Sequence, residues 1–192
     1  MARTNPERRN ALIDAGIEVL ARDGARGLTF RAVDKEAGVP AGTASNYFPN
    51  RDELLIQAGH RFYERLQPSA ETMDHLFTGP RTRETIAELM TEVVTRISGF
   101  RTGYLALLEL RLEATRRPDL QAILTERVRA DIDFNVRNHL DSGLPGDADS
   151  VLLLYLALNW LILERLTLPG VFDDAEATRL IEMAVQRAIP AL

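Results

Sequence analysis

Apolar residues recur along this chain at spacings of three and four rather than two, so the elements they predict are helices. Leu12, Ile13, Gly16, Ile17 and Leu20 form one stripe. Thr4-Asn5-Pro6-Glu7 precedes it with the spacing of a capping box, and Asp23-Gly24 closes it. A short helix is expected over 29–38, with Phe30, Val33 and Ala37 inward. An equally short one is expected over 40–48, which Pro49 ends because the residue before proline avoids helical angles. Asn50-Arg51-Asp52-Glu53 repeats the capping pattern and opens a longer helix striped by Leu54, Leu55, Ala58, Phe62 and Leu66. The stretch 68–80 reads as a connection. Helices follow over 82–100, 102–116, 118–140, 148–168 and 173–189, with breaks at or near Gly103, at Pro118, from Gly143 to Gly146, at Pro169-Gly170 and at Pro190. The sum is an all-α chain of about nine helices.

Composition narrows the function classes. With 45% apolar and 27% charged residues the chain is an ordinary globular one. It has no cysteine, which excludes disulfides, thiolate metal sites and cysteine nucleophiles. The N-terminus runs from basic residues into a charged amphipathic pattern instead of an apolar signal core, and reads as cytoplasmic. The most apolar run, 151–163, is shorter than the roughly 20 residues a bilayer requires and reads as a buried helix, so no membrane partner is expected. The net charge of −5 is unevenly spread. Residues 1–51 hold eight Lys/Arg against six Asp/Glu, a net +2, which leaves −7 for the remainder. An acidic body repels nucleic acid, so any docking face belongs to the start of the chain.

The two short helices joined by Gly38-Val39-Pro40 have the layout of a helix-turn-helix, whose second helix enters the major groove. That layout alone also occurs in plain helical bundles. More specific are Leu28-Thr29-Phe30-Arg31-Ala32-Val33, Ala37-Gly38-Val39, Gly42-Thr43 and Tyr47-Phe48, flanked by Asp23-Gly24-Ala25-Arg26-Gly27 and Asn50-Arg51-Asp52-Glu53-Leu54-Leu55. In order and spacing these residues, over about 6–60, resemble the DNA-binding domain of the TetR family of transcriptional regulators. The resemblance implies a three-helix DNA-binding domain at 1–49, with its motif at about 29–48, and a helical ligand-binding and dimerisation domain at 50–192. It implies that Thr29 caps the second helix and meets phosphate, that Arg31 contacts backbone or base, and that Ala41, Gly42 and Thr43 lie against DNA at the start of the recognition helix. Tyr47 and Arg51 are then phosphate contacts. Where the family often has a serine capping the recognition helix this chain has Pro40, and where it often has a tyrosine the chain has Ser45. Ser45 and Asn46 become the expected base-reading pair, since Asn can pair with adenine and Ser can bond either partner.

In the body, a helix apolar nearly all round must be covered on all sides. That requirement, and the family's habit, place the dimer interface on the last two helices through Leu152, Tyr155, Leu156, Asn159, Leu163, Leu180, Met183 and Ala184. Asn159, in an otherwise apolar run, has three readings: a bond within its own fold, a register-fixing bond across a dimer seam, or a ligand contact. Apolar or aromatic character nominates Phe62, Met90, Val94, Ile97, Phe100, Tyr104, Leu108, Phe134, Asn138 and Trp160 as a ligand pocket, although such residues more often form plain core. His60, His75 and His139 stand apart with no ligand-like spacing, so no metal is expected. Glu109 and Glu113 share a helix face and read first as a solvated or ion-paired edge, with one of them at a pocket mouth as the sharper alternative. There is no Ser-His-Asp order, phosphate loop or dinucleotide fingerprint, and neither catalysis nor a cofactor is expected. The expected function is that of a dimeric repressor which leaves a roughly palindromic double-stranded DNA operator when a small molecule binds. The alternatives are a ligand-independent DNA-binding regulator and a helical ligand-binding module without DNA binding.

Overall fold

The computed structural model describes residues 5–190, of which all regular elements are helical. Ten helices follow in order: α1 Pro6–Gly27, α2 Phe30–Glu36, α3 Thr43–Tyr47, α4 Arg51–Arg65, α5 Ala70–Thr78, α6 Arg83–Ser98, α7 Arg101–Ala114, α8 Pro118–Ser142, α9 Ala148–Thr167 and α10 Asp174–Ala188. They divide into two compact units. One holds the residues up to Leu66 together with Phe100–Arg127, and the other holds Gln67–Gly99 together with the residues from Val128 onward.

In the first unit α1 packs against α2, α4 and α7. The α1 stripe is buried as its periodicity requires, with Leu12, Ile13, Gly16, Ile17 and Leu20 all inside. Its cap is Asn5, whose side chain accepts from the amides of Glu7 and Arg8 at 3.0 and 3.2 Å; the expected cap, Thr4, lies outside the described residues. Gly24, at φ 69° and ψ 179°, interrupts the helix where the stop was expected, and a further turn carries the chain to Gly27. On α4, Leu54, Leu55, Ala58 and Phe62 are buried. Asn50 caps that helix through the Glu53 amide at 2.8 Å. The return half of the expected box is absent, because the Glu53 carboxylate accepts from Gln57 and pairs with Arg9 instead.

The second unit has a core of Ile86, Leu89, Leu144, Leu154, Val185 and Ile189, against which Leu76, Met90 and Ala184 pack. Thr82 and Asp147 cap α6 and α9, and α10 opens on a complete capping box between Asp173 and Glu176. Two expectations are corrected here. The presumed connection 68–80 contains α5, capped by Ser69; it buries no residue fully, so its stripe was too thin to read. The apolar run 151–163, read as too short for a bilayer, lies inside α9, which spans the expected 148–168 to within a residue and, at 20 residues, is by length and composition alone long and apolar enough to cross a membrane. Leu154, Leu158, Leu161, Ile162 and Leu166 nevertheless bury one face of it among protein.

Two further corrections concern breaks. The chain breaks before α7 at Gly99-Phe100, and Gly103 sits inside the helix. Glycine there makes room for the Phe100 ring, which a Cβ would overlap. Helix α3 begins at Thr43, three residues later than expected, because 40–42 form a turn that ends in a left-handed Gly42.

The packed face of α9 yields a direct expectation. Leu154→Ala should lower the unfolding free energy by about 2–5 kcal/mol, measured by urea titration followed by circular dichroism. A cost below about 1 kcal/mol would show that this helix does not carry the core of its unit.

Candidate nucleic-acid interface

Helix α2 is capped by Thr29, whose hydroxyl oxygen accepts from the Ala32 amide at 3.1 Å. Its last turn closes on Gly38, at φ 64°, and the chain reaches Gly42, at φ 89°. Only glycine adopts such angles without strain. A Cβ at Gly42 would meet nothing within 4 Å, so the requirement is conformational rather than a matter of space inside the chain. Helix α3 is five residues long, which is too short to persist without outside support.

That support comes from α2. Asp34, only 3% exposed, directs both carboxylate oxygens at the start of α3. Oδ2 accepts from the Gly42 amide and Oδ1 from the Ala44 amide, each at 2.7 Å. Sequence reasoning missed this residue, because a cap eight and ten positions away follows no local pattern. Inside the turn, the Thr43 amide donates to the Pro40 carbonyl at 3.1 Å, and the Thr43 hydroxyl donates to the same oxygen. The Ser45 hydroxyl donates to the Gly42 carbonyl at 2.9 Å. Ala44 and Phe48 face the core, while Thr29, Arg31, Ala41, Gly42, Ser45 and Asn46 face solvent, with Thr43 and Tyr47 half-buried at their edge. The motif therefore presents small and polar groups on an outer face free of large apolar side chains.

Arg51, expected at a phosphate, is placed against backbone. Its Nε donates to the Leu28 carbonyl at 2.9 Å and a terminal nitrogen donates to the Ala25 carbonyl. The Glu109 carboxylate accepts from the Ala25 amide at 3.0 Å, a role for α7 at the α1–α2 joint that sequence reasoning missed. The guanidinium of Arg9 lies 5.0 Å from the centre of the Phe48 ring and donates to Gln57 at 3.1 Å, tying α1 to the end of the motif.

This arrangement coincides with matches to known proteins. Residues 12–58 match the family described as bacterial regulatory proteins, tetR family, and residues 81–191, more than half of the chain, match the tetracyclin repressor-like C-terminal domain. The chain belongs to the TetR family.

Relatives of this TetR chain include the transcriptional repressor KstR of Mycolicibacterium smegmatis, 34% identical over 65 residues, which are 34% of this chain and 32% of that protein. The transcriptional regulator BetI of Agrobacterium fabrum is 32% identical over 76 residues, 40% of this chain and 37% of BetI. These matches thus span about a third of the curated relatives' length. Over nearly the whole chain the fold is similar to a solved TetR-family member from Streptomyces coelicolor, with a TM-score of 0.70 and 26% identity, covering 97% of this chain and 100% of the other. It is also similar to the multidrug binding protein EbrR in complex with imidazole, with a TM-score of 0.65 and 25% identity, covering 98% of each.

The remaining candidates of this TetR chain fall in both units. In the first, the Phe62 ring stacks with Phe100 at 6.1 Å and tilts toward Tyr104 at 6.5 Å, with Leu108 half-buried on the same helix as Tyr104. The Arg65 guanidinium lies 3.8 Å from the centre of the Phe100 ring. Burial pushes the Tyr104 hydroxyl above its usual range. In the second unit Val94 is buried, and Met90, Ile97, Phe134 and Asn138 are half-buried. Asn138 Nδ2 is buried without a hydrogen-bond acceptor. Asp131, on α8, accepts from the Tyr155 hydroxyl and faces Arg96, and burial holds its carboxyl above the usual range. Asn159 donates to the Tyr155 carbonyl at 2.8 Å, a bond within its own helix. Trp160, expected in the pocket, is 64% exposed. It shares an outer stripe with Leu152, Leu153 and Leu156, while Met183 is exposed on α10 and Tyr155, Leu163, Leu180 and Ala184 are half-buried. Leu153, 58% exposed, is an addition to the expected set.

The histidines and acids take structural partners. His139 is buried with Nε2 3.1 Å from the Pro145 carbonyl, and burial depresses its pKa. His60 accepts from Arg127 at 2.8 Å, and His75 lies 3.2 Å from Glu88. Glu113 pairs with Arg116 and Arg117 at 2.8 and 2.9 Å, and these two guanidinium groups hold its carboxyl below the usual range.

The turn geometry yields its own expectation. Gly42→Ala places a side chain at φ 89°, which costs about 1–3 kcal/mol of backbone strain. Thermal unfolding should register that loss; an unchanged midpoint would mean that the turn is not held in this conformation.

Proposed function

We propose that this TetR-family chain is a sequence-specific DNA-binding transcriptional regulator that acts as a dimer and represses until a small molecule binds. The observation that carries the reading is the exposed polar face of the helix-turn-helix, held on a capped turn. Residues 1–49 would serve DNA and residues 50–192 ligand and partner. Ser45 and Asn46 face outward as base-reading groups, and Thr29, Arg31, Ala41, Gly42, Thr43 and Tyr47 surround them as backbone contacts. Arg51 serves as a brace first, and any of its N–H groups left free would meet phosphate. The repressor name of KstR and the multidrug-binding description of EbrR support repression and a small-molecule effector.

The stripe Leu152, Leu153, Leu156 and Trp160 supports dimerisation, together with Tyr155, Asn159, Leu163, Leu180, Met183 and Ala184 around it. Two-fold symmetry would present two heads to a roughly palindromic operator. Phe62, Phe100, Tyr104 and Leu108 in one unit and Met90, Val94, Ile97, Phe134 and Asn138 in the other are the effector-binding candidates. Release then follows as a population shift, with operator and effector reciprocally opposed. Coming from the basic start of an acidic chain, DNA affinity must be strongly salt-dependent.

Selection from a random duplex pool, followed by fluorescence anisotropy, tests the reading. The native chain should enrich one family of near-palindromic sequences, with affinity falling steeply as salt rises. A metabolite panel should contain a compound that weakens binding by roughly 5–150-fold. Operator binding that no compound affects would favour the ligand-independent regulator, and no enrichment at all would favour a module without DNA binding. Separately, Leu156→Glu should convert a dimer into monomers in sedimentation velocity. A dimer that persists with that charge would place the interface elsewhere.

A further inference from the structure

Resting on the reading of the motif as a DNA-binding head, we infer that Asp34 is the residue that positions the recognition helix, in place of the hydroxyl cap that Pro40 does not supply. A helix N-terminus leaves backbone amides that require acceptors, and a side chain at the cap ordinarily provides one. Pro40 has no side-chain acceptor and no amide hydrogen, and Gly42 has no side chain. The carbonyl of Pro40 takes the Thr43 amide, and the amides of Gly42 and Ala44 on either side of it need acceptors of their own. Asp34 takes both, one with each oxygen, from a position 3% exposed on the preceding helix.

Two consequences follow from this division. First, the orientation of α3 is referred to α2 as well as to its own turn, so the helices bearing Arg31 and Ser45-Asn46 are tied to each other directly. Second, the amides of Gly42, Thr43 and Ala44 are all bonded within the protein, and none is left to hold a phosphate. At these three positions α3 can offer DNA only side chains, and Asp34, itself buried, contributes by fixing where they stand. Asp34 is a positioning residue: its loss should change which sequence is favoured more than how strongly any duplex is held.

The test compares the native chain with Asp34→Asn, which keeps the shape but removes one acceptor, with Asp34→Ala, which removes both, and with Asp34→Ala combined with Pro40→Ser, which offers a hydroxyl cap from the turn. The probes are the duplex enriched by the native chain and an unrelated duplex of equal length. In Asp34→Asn, amide exchange at Gly42 or Ala44 should accelerate about tenfold or more. Affinity for the selected duplex should fall by about tenfold, while affinity for the unrelated duplex and the salt slope stay as in the native chain. The double variant should recover most of the selected-duplex affinity. The inference is overturned if Asp34→Asn leaves exchange at both amides unchanged, if both duplexes weaken by the same factor, or if the double variant is no better than Asp34→Ala alone. A native chain that enriches no sequence overturns instead the DNA-binding reading, while the exchange measurement still decides whether Asp34 holds the helix.

Discussion

A five-residue helix has too few internal hydrogen bonds to offset the entropy of ordering it, so its place in the protein depends on what is fastened to its ends. In this chain that fastening is the buried carboxylate of Asp34, set between the amides of Gly42 and Ala44. A buried carboxylate is tolerable only when its oxygens are satisfied, and here each has a donor. The apolar side chains beneath, Ala44 and Phe48, bring α3 toward the core without fixing its rotation. Direction comes from the two short bonds. Ser45 and Asn46 stand outward because α3 is pinned at its first turn and packed at Ala44.

The helices with wide apolar stripes were legible from the sequence because burial and periodicity are the same fact seen twice. Leu12 to Leu20 on α1 and Leu54 to Phe62 on α4 are examples, and local caps such as Thr29, Asn50 and Asp173 mark ends by rules that span three residues. What escaped has one of two causes. Helix α5 buries no residue fully and left only a faint stripe at Met73, Leu76 and Phe77. Asp34, Arg51 and Glu109 act on backbone groups 8 to 84 positions away, and no periodicity encodes a side chain's bond to a distant carbonyl or amide. The start of α3 was misplaced for the same reason. Pro40 suits the first turn of a helix, and only the left-handed angle at Gly42 shows that the helix begins after it.

Helix α9 shows how one pattern can have two origins. Its sequence is apolar on nearly every side, which implies complete cover. Leu154, Leu158, Leu161, Ile162 and Leu166 find that cover within their own unit, whereas Leu156 and Trp160 remain 66% and 64% exposed. Exposed Leu and Trp aligned along three turns form a contiguous apolar surface of the kind that marks an interaction site. The Tyr155-Asn159 pair lies between the two faces, and its amide is satisfied inside the helix. The polar pair therefore does not oppose burial of either face.

The joints around the motif are serviced in the same way as the turn. At the α1–α2 connection, where Gly24 interrupts the helix, Glu109 accepts from the Ala25 amide and Arg51 donates to the carbonyls of Ala25 and Leu28. Arg51 is the first residue of α4, so the N-terminus of that helix is bonded directly to the segment that leads into α2. With Thr29 capping α2 and Asp34 linking α2 to α3, side-chain-to-backbone bonds secure each joint between α4 and α3. Charged groups bonded to backbone are shorter and more directional than neutral pairs, so they define an orientation that apolar packing alone leaves loose. The position of the α2–α3 pair relative to α4 is thus defined by a few directional polar contacts in addition to the apolar packing beneath.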